Sequence, residues 1–390
     1  MFACTAAAAL LQLDGTLITV ALPSVARGLH VSSASTAIVL SAYFGAYAIV
    51  LLPGGELVDR FGARRLSLVG LMVFAVGAGA GAVSSSIGVL IATRVVQGVG
   101  AGLVSPAALA GAVSGFPPER RGSALGIWGA SAGVSNLVGP LLGGLLTVWL
   151  GWRADWWALV PLALIAAAAI IRSVPASLHA AGGVERSATL NRVVLAATLV
   201  AALTFAVMIG CFYLASQYLQ HAAGYSALGA SAALVIVALL VGAAAPLTGR
   251  LVDEHGERLP AVLEFVLAAG GLAVLAIPGM PLASLVTILP LVPVGLGLGM
   301  LFVPTSRAAL NATPMPSHGR TSAILSVGRL LGAGVGAGLG GLVLAGGTGA
   351  STVHGAMLLG CILCVIVGIP ASLRLGAPRG PIAGEAGASA

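Results

Sequence analysis

The sequence contains no lysine, and charged residues of every kind fill only 7% of its 390 positions. Soluble domains carry about 25% charged residues, so a single water-soluble core is excluded. Aromatic residues are also sparse, at 5%. No aromatic-basic pattern supports nucleic-acid binding, and the net charge of +7 sits in short loops between apolar runs, where topology explains it better. The four cysteines do not form a disulfide framework. Cys361 and Cys364 share a C-x-x-C spacing inside an apolar run, where small buried packing outweighs redox or metal chemistry. The six histidines lack ligand spacing, so no metal is expected. The alternating glycines from Gly332 to Gly340 neither follow a strand nor open a soluble helix, so they mark close helix packing, not a nucleotide loop. No cofactor is expected, and ATP is not the expected energy source.

What the sequence does contain is apolar length. Mean hydropathy is +1.08 and hydrophobic residues make up 58%. The apolar runs are each about 20 residues long, enough to cross a bilayer core of ~30 Å. Without an alternating strand pattern, spans must satisfy their backbone internally as helices. Twelve are expected, near 3–23, 36–55, 66–84, 88–113, 122–147, 155–171, 193–217, 226–248, 259–277, 284–308, 322–345 and 353–373. The longest connection, Arg172–Arg192, carries Pro175 and Gly182-Gly183 and divides the chain. The expected organisation is a six-helix half at 1–172, a cytoplasmic linker at 173–192, a second half at 193–373 and a disordered tail at 374–390. Asp14 inside the first apolar run, with no charged segment before it, argues against a cleaved signal peptide. With both termini cytoplasmic, nearly all loop arginines fall inside and only Arg27 and Arg153 fall outside. Trp149, Trp152, Trp156 and Trp157 then gather at an outer interface.

One charged stretch occurs twice. Gly55, Leu57, Val58, Asp59, Gly62 and Arg64 match Gly249, Leu251, Val252, Asp253, Gly256 and Arg258 at one constant offset. Matched charges carry weight in a chain so poor in them, and the long period indicates a duplicated half-protein. The stretch from Pro53 to Arg65 is read as a short charged bend between spans.

Polar groups inside the apolar runs are the candidates for function. Asp14 lies mid-span, where a carboxylate costs about 2.5–3.5 kcal/mol on insertion scales, so it should face a polar cavity and exchange protons. Hydrogen bonding to neighbouring helices is the plainer alternative. Arg94 cannot shuttle a proton but can stabilise a carboxylate, unless it merely snorkels. Gly129, Gly133, Gly139, Pro140, Gly143 and Gly144 give the fifth span a run of small residues for close helix approach. Tyr213, Gln217 and Gln220 form one polar stripe at i, i+4 and i+7. With Gln12, Tyr43 and Asn136 they are candidates for lining a substrate path, although interhelical hydrogen bonds explain each as well. Glu264, Arg329 and Arg307 lie near span ends, where snorkelling or pairing accounts for them at least as well as transport does.

The charged stretch, Arg94 with its following glycines, and the fifth-span string together resemble the major facilitator superfamily. Leu13-Asp14-Gly15-Thr16 through Pro23, and Tyr218-Leu-Gln220 through Ser226, resemble its drug:proton antiporter branch, usually built with fourteen spans. Leu159 stands where that branch has Asn, and Arg172–Arg192 is too short for its two extra helices. The resemblance implies an all-α membrane protein of about twelve helices in two pseudo-symmetric halves, working by alternating access. It implies a cytoplasmic latch of Gly55, Asp59, Arg60, Gly62, Arg64, Asp253 and Arg258, in which Asp59 meets the helix start near Thr321-Ser322. It implies proton coupling through Asp14 and Arg94, and antiport from the fifth-span glycines. The expected activity is export of an amphipathic or cationic small molecule across the plasma membrane by a monomer. Its partners are that substrate, protons and the lipid bilayer; nucleic acid is not among them. An importer on the same fold is the alternative, with a membrane sensor or enzyme behind it because no catalytic constellation is visible.

Overall fold

The computed structural model describes residues 2–114, 121–175, 190–279, 288–313, 318–347 and 349–375, without the side chains of Asp59, 113–114, 121–130, 132–133, 245, 288 and 318–319. Six helices form the first half: α1 (Phe2–Leu29), α2 (Ser33–Phe61), α3 (Ala63–Ala82), α4 (Ile87–Ser114), α5 (Arg121–Leu150) and α6 (Arg153–Ser173). The second half comprises α7 (Arg192–His221), α8 (Ala227–His255), α9 (Arg258–Leu275), α10 (Ile288–Leu298), α11 (Phe302–Asn311), α12 (His318–Ala345), α13 (Ala350–Leu363) and α14 (Ile369–Ser372). α10 and α11 together make the tenth span, and α13 runs through a π-helical turn, Cys364–Gly368, into α14 to make the twelfth. Among the described residues, eleven helical spans are long and apolar enough to cross a membrane, and α5 adds the shorter apolar stretch Val134–Leu150. No strand occurs among the described residues.

Helix starts are set by local chemistry. Ser32, Asn191 and Ser226 accept hydrogen bonds from Ser35 N, Val194 N and Gly229 N, satisfying donors that a first turn leaves bare. The repeated charged stretch is not the bend expected of it. α2 stays helical through Phe61 and breaks at Gly62 alone, while α8 stays helical through His255 and breaks at Gly256. Both glycines take positive φ, 80° and 77°, and their N–H groups close back on Val58 O and Val252 O. A left-handed C-cap needs only this one residue type, and helical propensity carries the flanking charges.

Within the first half α4 packs between α2 and α3, α1 lies on α5, and α3 lies on α6. Within the second half α12 packs on α7, and α9 on α10 and α13. The halves meet where α2 packs on α12, α5 on α8 and α1 on α7. The glycine run of α12 serves both sides. A Cβ at Gly328, Gly332 or Gly336 would strike Thr198, Ala202 or Ala206 of α7. Gly334 and Gly338 instead face Ser41 of α2, with ordinary clearances of about 3.5 Å.

The side-chain hydrogen bonds described between the halves gather at one end of the bundle. Thr36 of α2 shares a hydrogen bond with Tyr213 of α7 (3.0 Å) and accepts one from Gln217 Nε2 (3.2 Å). Ser216 and Gln220 donate to Thr19 O and Val20 O of α1, and Ser41 donates to Gly334 O of α12.

Candidate functional site: a buried ion pair between α1 and α4

Asp14 and Arg94 are both wholly buried and form an ion pair. Arg94 Nη1 donates to both carboxylate oxygens at 2.8 Å and to Gln97 Oε1 at 3.1 Å. Arg94 Nε points toward Val39 O at 3.4 Å. The guanidinium lies 4.1 Å from the Tyr43 ring centre, so a π face backs the cation. Tyr43 in turn donates its hydroxyl to Leu11 O of α1 at 3.0 Å. Arg94 therefore does not snorkel; it crosses from α4 to the carboxylate of α1. Two donors remain bare in this pocket, Arg94 Nη2 and Gln97 Nε2.

The fifth-span glycines bring α5 onto the same helix. A Cβ on Gly139 would overlap Thr16, and one on Gly143 would overlap the Leu17 backbone. Thr16 Oγ1 reaches Ser135 O at 3.4 Å, and Ser135 Oγ donates to Ala9 O at 2.9 Å. Gly144 reaches across the halves to Ser231 and Ala227 of α8. Pro140 is buried beside them, while Gly129 and Gly133 lie in α5 where surroundings are outside the described residues. Gln12 and Asn136 are half-buried.

The remaining candidates fall elsewhere. Tyr213, Gln217 and Gln220 are buried in the seam between the halves, bonded to α1 and α2. Of the latch residues, the Asp59 side chain lies outside those described, Gly55 faces open space, Arg60 is exposed and Arg64 half-buried. Asp253 pairs with Arg307 of α11, and Arg307 Nε lies 3.3 Å from Glu257. That network stays within the second half. Glu264 and Arg329 do not pair: Glu264 contacts Thr204 of α7, whereas Arg329 donates to Ser306 and stacks on Phe302. Of the four tryptophans, Trp149 and Trp157 are exposed, but Trp152 and Trp156 turn inward and stack edge to face.

Two features escaped the sequence reading. Asp155, in the first turn of α6, is wholly buried and accepts from Thr147 Oγ1 at 2.6 Å. Its only sequence signal is a lone acid two residues beyond Arg153. A cavity of about 340 Å³ opens within the second half, lined by α7, α8, α9, α10 and α13. Its wall is apolar, with Tyr218 and Tyr225 supplying the hydroxyl groups.

Comparison with known proteins agrees with this architecture. The chain is 30% identical over 408 aligned positions to the puromycin resistance protein Pur8 of Streptomyces alboniger, covering 88% of this chain and 81% of that protein. It is 44% identical to the uncharacterized MFS-type transporter Rv1250 of Mycobacterium tuberculosis over 173 residues, which is 44% of this chain but 30% of that longer relative. The tetracenomycin C resistance and export protein of Streptomyces glaucescens is 38% identical over 157 residues, 40% of this chain and 29% of that protein. The fold is similar to that of a bacterial homologue of the human lysosomal transporter Spinster, solved in an inward-facing, occupied conformation. The TM-score is 0.75 at 16% identity, covering 96% of this chain and 93% of that one. Residues 4–336 match the Major Facilitator Superfamily profile, and the chain belongs to that superfamily as a multi-pass membrane transporter of small molecules.

Proposed function

We propose that the chain is a proton-coupled exporter of amphipathic or cationic small molecules, acting as a monomer in the plasma membrane with both termini cytoplasmic. The observation that carries this reading is the buried Asp14–Arg94 pair. Arginine holds its charge at any working pH, so the only group in the pair that can exchange a proton is Asp14. Protonation of Asp14 removes the attraction that fixes the guanidinium. A donor or cationic group of the substrate binds the same Asp14 carboxylate, so proton and substrate compete for one group, and linkage makes the effect reciprocal.

Placement supports the rest. With the termini inside, the arginine-rich loops are cytoplasmic. The end joined by Thr36, Tyr213 and Gln217 is then the outer end, closed in this state. The resistance proteins among the relatives favour a toxic substrate and outward transport. A metabolite substrate is the second reading, supported by 30% identity over 163 residues to the riboflavin transporter RibZ of Clostridioides difficile.

The test uses inside-out vesicles with an imposed pH gradient, a pH-sensitive dye and a panel of lipophilic cations, antibiotics and flavins. The expected result is proton movement triggered by a cation or an antibiotic and lost in Asp14→Asn at matched protein level. Coupling that survives in the variant would refute the role of Asp14. A response to flavins alone would favour the metabolite reading.

A further inference from the structure

Glu264 is fully buried in α9, in the half that does not hold the ion pair. Its neighbours offer no positive charge among the described residues. α7 brings Thr204, and the π-helical turn brings Cys364, with Cys211 and Cys361 around it. α10 contributes the backbone of Gly297, which is packed against Glu264 O. The charged groups of α8, α11 and the start of α9 (Asp253, Arg307, Glu257 and Arg258) collect six or more residues away. His354 of α13 is engaged at the opposite end, on Leu275 O.

The hydrogen count around Thr204 decides the state of this acid. Thr204 Oγ1 has one hydrogen and two contacts, Val200 O at 3.0 Å and Glu264 Oε1. One hydrogen serves one of them. An ionised Glu264 would have to take it, and would still leave Oε2 bare and its charge uncompensated. That arrangement is strongly unfavourable in a low-dielectric interior. A neutral acid satisfies both contacts: Glu264 donates through Oε1 to Thr204 Oγ1, and Thr204 donates to Val200 O. The bare Oε2 is then a carbonyl oxygen, which tolerates the lack of a partner far better than a carboxylate does.

The site also lies close to one end of its helix. Glu264 lies six residues beyond Arg258, about 9 Å along the helix at 1.5 Å per residue. Beside it the twelfth span widens into the π-helical turn Cys364–Gly368, where Gly368 packs on the Phe265 ring. Such widened turns interrupt regular helix packing. We propose that Glu264 is a second proton-binding site, distinct from Asp14: a neutral carboxylic acid that donates to Thr204 and exchanges its proton through the Arg258 end of α9. This holds whatever the transported molecule is.

Infrared spectroscopy of the purified full-length chain in lipid tests it. At neutral pH a parent carrying Asp155→Asn, which removes the other buried acid held by one hydroxyl, is expected to show the carbonyl-stretch band of a protonated carboxylic acid, lost when Glu264→Gln is added and kept when Asp14→Asn is added. Transfer to D2O shifts that band as the proton exchanges. Thr204→Val keeps the band but moves it to higher frequency, since the acid loses its acceptor. Size-exclusion profiles establish that each variant is folded. Absence of the band in that parent, its persistence when Glu264→Gln is added, or a band unmoved after prolonged D2O exposure would each overturn the proposal.

Discussion

Asp14 and Glu264 are both wholly buried, one in each half, and the two halves hold them in opposite ways. Asp14 meets a cation, a π face behind it and a glutamine beside it. Glu264 meets one hydroxyl. A carboxyl inside a membrane bundle needs either a counter-charge or a proton. Asp14 has the former; the proposal above gives Glu264 the latter. The two halves share the charged stretch, but not this pairing.

The contrast can be broken by removing partners one at a time. The largest effect is expected from Asp14→Ala, which leaves Arg94 buried, unpaired and unable to neutralise; a loss of roughly 3–5 kcal/mol is expected, read by denaturant unfolding of purified protein. Arg94→Leu should cost less, because Asp14 can take up a proton. Its deficit should be smallest in acid and grow as pH rises, since acid supplies the proton that replaces the arginine; thermal unfolding across pH checks the sign. A deficit independent of pH would mean that Asp14 stays charged. Thr204→Val should cost about 1–3 kcal/mol, the range for a buried polar group losing its partner, with little dependence on pH near neutrality. Glu264→Gln should be mildest, below about 1 kcal/mol, because an amide can still donate to Thr204. If Glu264→Gln proved as damaging as Asp14→Ala, the two acids would be held alike and the contrast would fail.

Much of the fold was legible because its signals are one-dimensional. Apolar runs set the spans, and the constant offset between the charged stretches showed the two halves. Asp14 and Arg94 stood out because charges inside apolar runs have few explanations. What could not be read was which way a side chain turns. Tyr213, Gln217 and Gln220 share a stripe whether that stripe lines a cavity or closes a seam, and only the position of α1 and α2 shows the seam. Trp152 and Trp156 look like interfacial anchors until α6 rotates them inward. Asp155 gave no pattern because its partner, Thr147, sits on the preceding helix across a tight connection. The bend was misjudged for a different reason: charge density suggested a loop, while the backbone needs only Gly62 to turn.

Those short breaks at Gly62 and Gly256 bear on how the chain enters the bilayer. With one residue between α2 and α3, the second helix begins before the first has been left behind. α8 and α9, separated by Gly256 and Glu257, are in nearly the same position. Each pair is joined too tightly for its two apolar arms to be placed independently, and both arms meet the same face of the bilayer at the arginine-bearing tip. The arms themselves are held apart by other helices, α4 packing between α2 and α3, so the tight tip alone ties their placement, and a longer insert at either glycine would release it.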